Sequence, residues 1–538
     1  MPPERDTSLS RSDTNGSAPV STASSAPPLT SRPSARVAPP VPLTTASLPQ
    51  TAPLPAREDG RQGDAAEAVA GEGGHGPGRD GKGPRGPAGR PNLSTGSVPR
   101  HVWRLAWPQV TEGVLNMVDQ MVDMVWAGRL PGGFHSLAGL GIAQTFTQFG
   151  QMARQGFDQA TRAMIARAMG AGDVRLANNI ALQSFTLTAI YSVLLVTIGL
   201  LLTDVLIGAI GASASVQAEA SLYMRIQFIG IAGMSFRMAS ASMLQSAGDV
   251  MTPLKATTVT RIIHIALTPF LMFGWLGFPE MGLAGAALSN LLAQLAGAGI
   301  NLYVLFRGNS HLRLTLRGYR IDYPILWRLL KIGAPASVGG TERAVSQLVL
   351  LAIVAPFGDI ALAAFGLTRR LEMLANFGSM GVGNAAGIMV GQNLGAREPE
   401  RARQSVIWGL VLAAAMNSIV AFILLLVPAL LVIPFTSEPN VVALTADWLR
   451  ILGVAAVFMG LGVVFQQSFN VAGDTVTVMI VTFMALVALE LPAAWLLSHP
   501  MGVGPLGSAW ANVIGMALRA AFFVPVYFWG RWLRIKVI

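Results

Sequence analysis

The chain of 538 residues contains no cysteine, which excludes structural disulfides, thiolate metal sites and thiol catalysis together. Charge is also scarce, at 12% of residues against 52% hydrophobic, and mean hydropathy is +0.51. A soluble globule needs more charge than this to cover itself, so the sequence belongs in a bilayer. Acidic residues are the rarer sign, 28 against 38 Lys plus Arg, for a formal charge of +10. The excess does not point to nucleic acid, because the basic residues are spread through short loops instead of lining one face with aromatics between them. His75, His101, His135, His264, His311 and His499 show no metal-ligand spacing, so no metal site is expected.

Nucleotide-binding and catalytic constellations are missing too. GEGGHG at 71–76 satisfies GxGxxG and GPGRDGKG at 76–83 approaches a phosphate loop, but no strand precedes either and Gly83 stands where Ser or Thr is required. No nucleophile–base or metal pair stands out, so the chain does not read as an enzyme. Transport would then draw on an ion gradient, with a proton or sodium as coupling ion and no other cofactor.

Residues 1–102 are rich in Pro, Ser, Thr, Ala, Gly and Arg without period, so a disordered cytoplasmic tail is expected. It has no apolar segment of a cleavable signal peptide. Beyond it lie twelve apolar stretches, near 104–127, 137–163, 178–202, 218–243, 252–275, 283–306, 331–355, 362–388, 405–433, 442–467, 477–497 and 506–528. Each has the roughly 17–25 residues a helix needs to cross the hydrocarbon. The expected fold is an all-α integral membrane protein of twelve transmembrane helices.

The second half repeats the first. MIARAMGA at 164–171 returns as MVGQNLGA at 389–396, and AGD at 247–249 as AGD at 472–474, both displaced by 225 (395 − 170 and 474 − 249). GLAGAALSN at 282–290 returns as GPLGSAWAN at 504–512. Six spans per copy is an even number, so the copies should be parallel repeats about an axis along the membrane normal. The division follows: a tail to 102, a first lobe over 103–308, a cytoplasmic linker over 309–329, a second lobe over 330–530 and a cytoplasmic tail over 531–538. Arg167, Arg175, Arg307, Arg313, Arg317, Arg320, Arg397, Arg401 and Arg403 fall in loops on one face, which places that face and both termini in the cytoplasm of a plasma (inner) membrane protein.

The first span carries a polar stripe. Glu112, Asn116, Asp119 and Asp123 lie within roughly 60° of arc on a helix. A central Asp facing lipid costs about 2.5–3.5 kcal/mol even on a lenient scale, so the stripe must face protein or water. One reading is a cation or proton site, with Asp123 foremost, in which crowded carboxylates exchange a proton for a cation. The other is neutralisation by buried Arg154, Arg162 or Arg237. His264, within the fifth span, is a further candidate for proton handling. Arg154 and Asp158 stand one turn apart and can neutralise each other.

Candidates for a substrate cavity are Asn116, Gln120, Glu342, Arg343, Gln347, Arg370 and Glu372. Gln120 and Gln347 each follow a helix proline, Pro108 and Pro335, by the same interval. Arg370 and Glu372 could equally form an ion pair that docks helices. Glu490 before Pro492 is open between structure and function. Met residues suit an adaptable cavity wall. Gly156, Gly170, Gly381, Gly383, Gly391 and Gly395 would permit close helix approach and tight turns.

FGLTRRLEMLANFGSMGVGNAAGIMVGQNLGAREPERA at 365–402 resembles the eighth-helix signature and following loop of the multidrug and toxic compound extrusion (MATE) transporters, and MIARAMGAGD at 164–173 resembles its first-half counterpart. The resemblance spans about residues 100–530. It implies two six-helix lobes around a V-shaped cavity, alternating access, and exchange of sodium or protons for amphipathic, usually cationic compounds. VDMVWAG at 122–128 matches the first-helix pattern whose Asp is the cation-linked carboxylate, here Asp123. HIALTP at 264–269 departs from the Asn and Asp of some members, and the seventh helix offers Arg343 with Glu342 one place early. These departures favour proton over sodium coupling. The resulting expectation is a monomeric antiporter for small molecules, with the lipid bilayer as its other partner. A flippase for lipid-linked oligosaccharides or lipids, which would use Arg154, Arg237 and Arg343 on phosphate, is the alternative.

Overall fold

A computed structural model describes Leu93 and residues 95–130, 133–209, 214–308, 310–436 and 438–537. The tail expected to be disordered, with His75 and GEGGHG in it, lies outside the described residues except at its end. There the boundary at 102 is too late. Helix α1 already begins at Val98, and Leu93, Val98 and Val102 are buried because they complete an apolar cluster with α8.

The described chain is helical throughout, with no strand among the described residues. The first copy consists of α1 (Val98–Gly128), α2 (Gly133–Gly170), α3 (Val174–Ala209), α4 (Ala214–Ser246), α5 (Met251–Phe273) and α6 (Gly282–Arg307). The second consists of α7 (Tyr323–Val354), α8 (Asp359–Gly395), α9 (Pro399–Leu426) with the short α10 (Pro428–Val432), and α11 (Pro439–Ala472). Its fifth span is α12 (Thr475–Phe483), a π-helical turn (Met484–Glu490) and α13 (Leu491–Ser498), and its sixth is α14 (Leu506–Trp529). Twelve spans result, as the apolar stretches predict.

Eight of these spans are long and apolar enough to cross a membrane by composition alone. α1, α2, α4 and α8 are not among them. These four carry Glu112, Asp119 and Asp123, then Arg154, Asp158 and Arg162, then Arg237, then Arg369 and Glu372. Helices that hold charge must bury it against other helices, and these do: α1 lies along α8 and α5, and α2 along α7, α4 and α8. The pairs α1·α8 and α2·α7 are counterparts under the repeat, so the copies interlock through their first two helices.

The repeated AGD shows how sequence sets the turns. Gly248 (φ 92°) and Gly473 (φ 95°) take the left-handed conformation that ends α4 and α11. A glycine adopts it without the steric cost a side chain brings. Asp249 N then donates to Leu244 O and Asp474 N to Phe469 O, both at 2.9 Å, bonds displaced by the same 225 residues (469 − 244). Each Asp starts the following helix, Asp249 accepting from Thr252 N at 3.1 Å and Asp474 from Thr477 Oγ1 at 2.7 Å. The other repeated turn is less symmetrical: Gly172 (φ 77°) is answered by Arg397 (φ 62°).

The ends of α2 and α8 form a seam between the copies. A Cβ on Gly170 would collide with the main-chain carbonyl of Gln392, and a Cβ on Gly395 with that of Arg167. Arg167 donates to Ala472 O at 3.1 Å and Gln392 to Ser246 O at 2.7 Å, so each copy's second helix caps the other copy's fourth. Leu93 covers Gly248 and Val537 covers Gly473. Val537 is buried among α2, α3 and α4 side chains, so the segment expected as a cytoplasmic tail over 531–538 packs against the helices near its end.

Candidate functional site

The stripe on α1 meets α5. Arg261 lies one turn before His264, so both project toward α1 from one helix face. The Arg261 guanidinium pairs with Asp119 and donates to Asn116 Oδ1 at 2.8 Å. His264 Nδ1 lies 2.8 Å from the other Asp119 oxygen, and its Nε2 lies 3.5 Å from Asp123 Oδ1. Both of these last atoms are buried and have no hydrogen-bond partner among the described residues. Thr268 fastens the helix backbone here, donating to His264 O at 2.6 Å.

Two carboxylates therefore face one imidazole ring from opposite sides. A neutral imidazole carries one N–H, so it can satisfy only one carboxylate unless a second proton is present. Asp119 has Arg261 as well, whereas Asp123 has only the loose approach to His264. The chemistry available is proton exchange centred on Asp123. Asp119, Asp123 and His264 also place ligand atoms within 4.8 Å of one another, a spacing that could hold a metal ion. The Arg261 guanidinium, already on Asp119, opposes that use, since a second cation would sit beside a fixed one.

The guanidinium paired with Asp119 is thus Arg261, which was not among the expected partners, while Arg237 and Arg162 act electrostatically on Glu112 at the other end of the stripe. Arg154 is held by Asp158 through two hydrogen bonds of 2.9 and 2.5 Å, the pairing its spacing suggests. Arg237 donates to Gln294 Oε1 at 2.6 Å and Thr257 Oγ1 at 3.2 Å. Glu112, two turns below Asp119, accepts from Gln245 Nε2 at 3.2 Å and does not join the Asp119 cluster.

A cavity of about 370 Å³ opens elsewhere, lined by α2, α4, α7, α8, α11, α12, the π turn and α14. It is weighted toward the second copy, not centred between two equal lobes. Its wall carries Asp158, Glu372 and Glu490 against Arg162, Arg369 and Arg519, with many amides and the methionines Met152, Met238, Met373, Met380, Met459 and Met516. Gln159 Nε2 bridges to Gln467 Oε1 at 2.7 Å, joining the copies at the cavity.

Of the predicted cavity residues, Gln347 and Glu372 line it. Asn116 does not, because it serves Arg261, and Gln120 is exposed, about 100° around α1 from Asp119. Arg370 is also exposed; Arg369, one residue earlier, faces the cavity and pairs with Glu372 at 2.6 Å. Glu342 and Arg343 have side chains outside the described ones. Asp123 is not among the residues lining the cavity. Sequence reasoning missed Arg261, Arg369 and Arg519. The interval of three between Arg261 and His264 is the signal that could have found the first.

Comparison with known proteins agrees with this architecture. The MatE family model matches residues 108–270 and 335–496, one match per copy and together more than half of the chain. The probable multidrug resistance protein NorM of Thermotoga maritima is 27% identical over 455 residues, covering 83% of this chain and 96% of that protein. An FAD transporter of Shewanella oneidensis is 26% identical, covering 63% and 75%. A crystal structure of MATE in the straight conformation superposes with a TM-score of 0.76 at 24% identity, over 82% of this chain and 96% of that one. With the family model matched once in each copy, the chain belongs to the MatE family, the multidrug and toxic compound extrusion transporters, and is a multi-pass membrane transporter rather than an enzyme.

Proposed function

We propose that this transporter is a proton-coupled antiporter that exports amphipathic, cationic small molecules, working as a monomer in the inner membrane with both termini in the cytoplasm. The observation that carries the reading is Asp123, a carboxylate on a membrane helix facing His264 Nε2 at 3.5 Å with no bonded partner for its Oδ1 among the described residues. Asp119, by contrast, is held by Arg261. Proton over sodium is supported by the donor set: two carboxylates, an imidazole and a guanidinium suit proton sharing better than the oxygen cage a hard cation prefers. The curated multidrug resistance relatives support small-molecule export.

Because Asp123 is set apart from the cavity, coupling must run through helix position. α1 packs on α8, where Gly381 admits the main chain of Val110, and α8 forms part of the cavity wall. A proton at Asp123 would shift the balance between states in which α1 and α8 sit differently, and substrate would favour the opposite state. Flux in proteoliposomes with a proton or a sodium gradient imposed separately tests this. Proton-driven export lost in Asp123→Asn with normal yield supports the scheme; sodium-driven export, or unchanged export in that variant, overturns it.

The flippase reading is less well supported. Arg154 is already paired with Asp158, Arg237 does not line the cavity, and 370 Å³ suits a drug-sized molecule rather than an oligosaccharide carrier.

A further inference from the structure

A second cavity, of about 640 Å³, is lined by the first turns of α3, the linker between the copies and the start of α7. It shares no lining residue with the cavity of about 370 Å³. Arg175 on α3 and Arg317 and Arg320 on the linker line it, and none of these guanidiniums has a hydrogen bond or ion pair among the described residues. Asp322, the one carboxylate in the lining, is engaged in fixing the frame: its Oδ1 accepts from Ile325 N and its Oδ2 from Asn179 Nδ2, both at 3.2 Å. Asp173, outside the lining, accepts from Leu176 N at 2.9 Å as α3 begins. Three guanidiniums against one carboxylate leave the cavity cationic.

The linker is fastened along α3. Gln183 Nε2 donates to Arg320 O at 2.7 Å, and the Tyr319 hydroxyl meets Thr186 Oγ1, so the arginines are mounted on a set backbone, which lowers the cost of binding. Asn178 also lines the cavity, and its Oδ1 is buried without a hydrogen-bond partner among the described residues. An acceptor left open beside guanidiniums fits a ligand that joins a phosphate to a hydroxyl. Two spans, Val174–Val205 and Tyr323–Phe357, begin at this cavity, so it opens at the level where the chain enters the bilayer. Beside it Leu316, Ile321, Tyr323 and Trp327 are exposed, and aromatic side chains of this kind sit at headgroup level. Basic pockets in that position hold anionic headgroups.

We infer that this cavity binds an anionic phospholipid with a phosphoglycerol headgroup. The phosphodiester lies on Arg175, Arg317 and Arg320, a glycerol hydroxyl donates to Asn178 Oδ1, and the acyl chains leave past Tyr323 and Trp327. The linker between the copies is thereby tied to a lipid beside the first copy.

The test titrates the purified full chain in detergent with dihexanoyl phosphatidylglycerol, dihexanoyl phosphatidylcholine, dihexanoyl phosphatidic acid and inorganic phosphate, with binding followed by thermophoresis. Phosphatidylglycerol should bind about tenfold more tightly than phosphatidylcholine, the scale of one charge-assisted contact, and more tightly than inorganic phosphate. Arg317→Gln combined with Arg320→Gln, both at exposed positions, should bring phosphatidylglycerol down to the level of phosphatidylcholine. Asn178→Ala should weaken phosphatidylglycerol about fivefold, one hydrogen bond, and leave phosphatidic acid, which has no glycerol headgroup, as it was. Equal binding of phosphatidylglycerol and phosphatidylcholine, inorganic phosphate bound as tightly as the lipid, a preference that survives the double arginine variant, an equal loss of both acidic lipids in Asn178→Ala, or no binding at all would each overturn the inference. If a variant does not fold, the ratio of the two diacyl lipids on the unaltered chain decides.

Discussion

Gly170 and Gly395 occupy the same place in the two copies, and each packs against the main chain of the other's helix. The seam they form lies at the ends of α2 and α8, the face proposed to be cytoplasmic.

The contacting atoms are backbone, which cannot swing aside, so Gly170→Ala or Gly395→Ala should force the seam apart. Overpacking of this kind costs roughly 1–3 kcal/mol, enough to move a closed-to-open balance about tenfold or more. The chain has no cysteine, so a single cysteine at Met459 on the cavity wall reports access cleanly. Its reaction with an impermeant maleimide from the cytoplasmic side should quicken in both glycine variants. Unchanged labelling in both would rule out this seam as the inner closure.

Asp119 and Arg261 should behave as a unit. Arg261→Gln leaves a buried carboxylate without its guanidinium and is expected to lower stability by about 3–5 kcal/mol. Adding Asp119→Asn to it should recover much of that loss instead of adding to it. Melting temperatures of the two single variants and the double variant measure the coupling, and simple additivity would contradict the pairing.

Gly515 holds a place open for Glu490. A Cβ at Gly515 would fall 2.6 Å from Glu490 Oε2, so Gly515→Ala must displace that carboxylate from its place in the cavity wall. Export of cationic substrates should show a raised KM, by roughly tenfold if one charge-assisted contact is lost, with the yield of folded protein unchanged. An unaltered KM would place Glu490 outside substrate binding.

His101 precedes the membrane part of α1 and ties down the segment before it, one ring nitrogen lying 2.8 Å from Thr95 O. Burial, aided by Arg104, Arg401 and Arg100, holds its pKa below the ordinary 6.5, against the Thr95 contact that raises it. The unfolded segment therefore takes up the proton more readily. The stabilisation is intact above about pH 6.5 and is lost as pH falls from there through the lower folded value. Hydrogen exchange over residues 95–102, corrected for intrinsic rates, should quicken more between about pH 7.5 and 5.5 than in His101→Gln.

The twelve spans, the repeat and the polar face of α1 were legible because each leaves a local or periodic trace: apolar length, a fixed displacement, acidic residues at helical spacing. Partnerships between distant residues left none. That Arg261 and not Arg154 answers Asp119 depends on α5 crossing α1, and that Arg369 rather than Arg370 meets the cavity depends on the rotation of α8 by a single residue. The separation of Asp123 from the cavity was equally hidden, since the stripe shows which face of α1 is polar without showing what stands opposite. Val537 read as tail because a short segment's burial depends on the surface it lands on.

The π turn at Met484–Glu490 holds an inheritance of its own. Pro492 has no N–H, and widening the coil just ahead of it eases the ladder it interrupts. A turn of this kind amounts to one surplus residue, which advances everything beyond it by about 100° relative to an uninterrupted helix. Glu490 faces its neighbours, not lipid, by virtue of that phase. A one-residue insertion or deletion in 484–489 would thus change which side chains the fifth span of the second copy presents inward, and such an event is the simplest way for this scaffold to exchange one cargo preference for another.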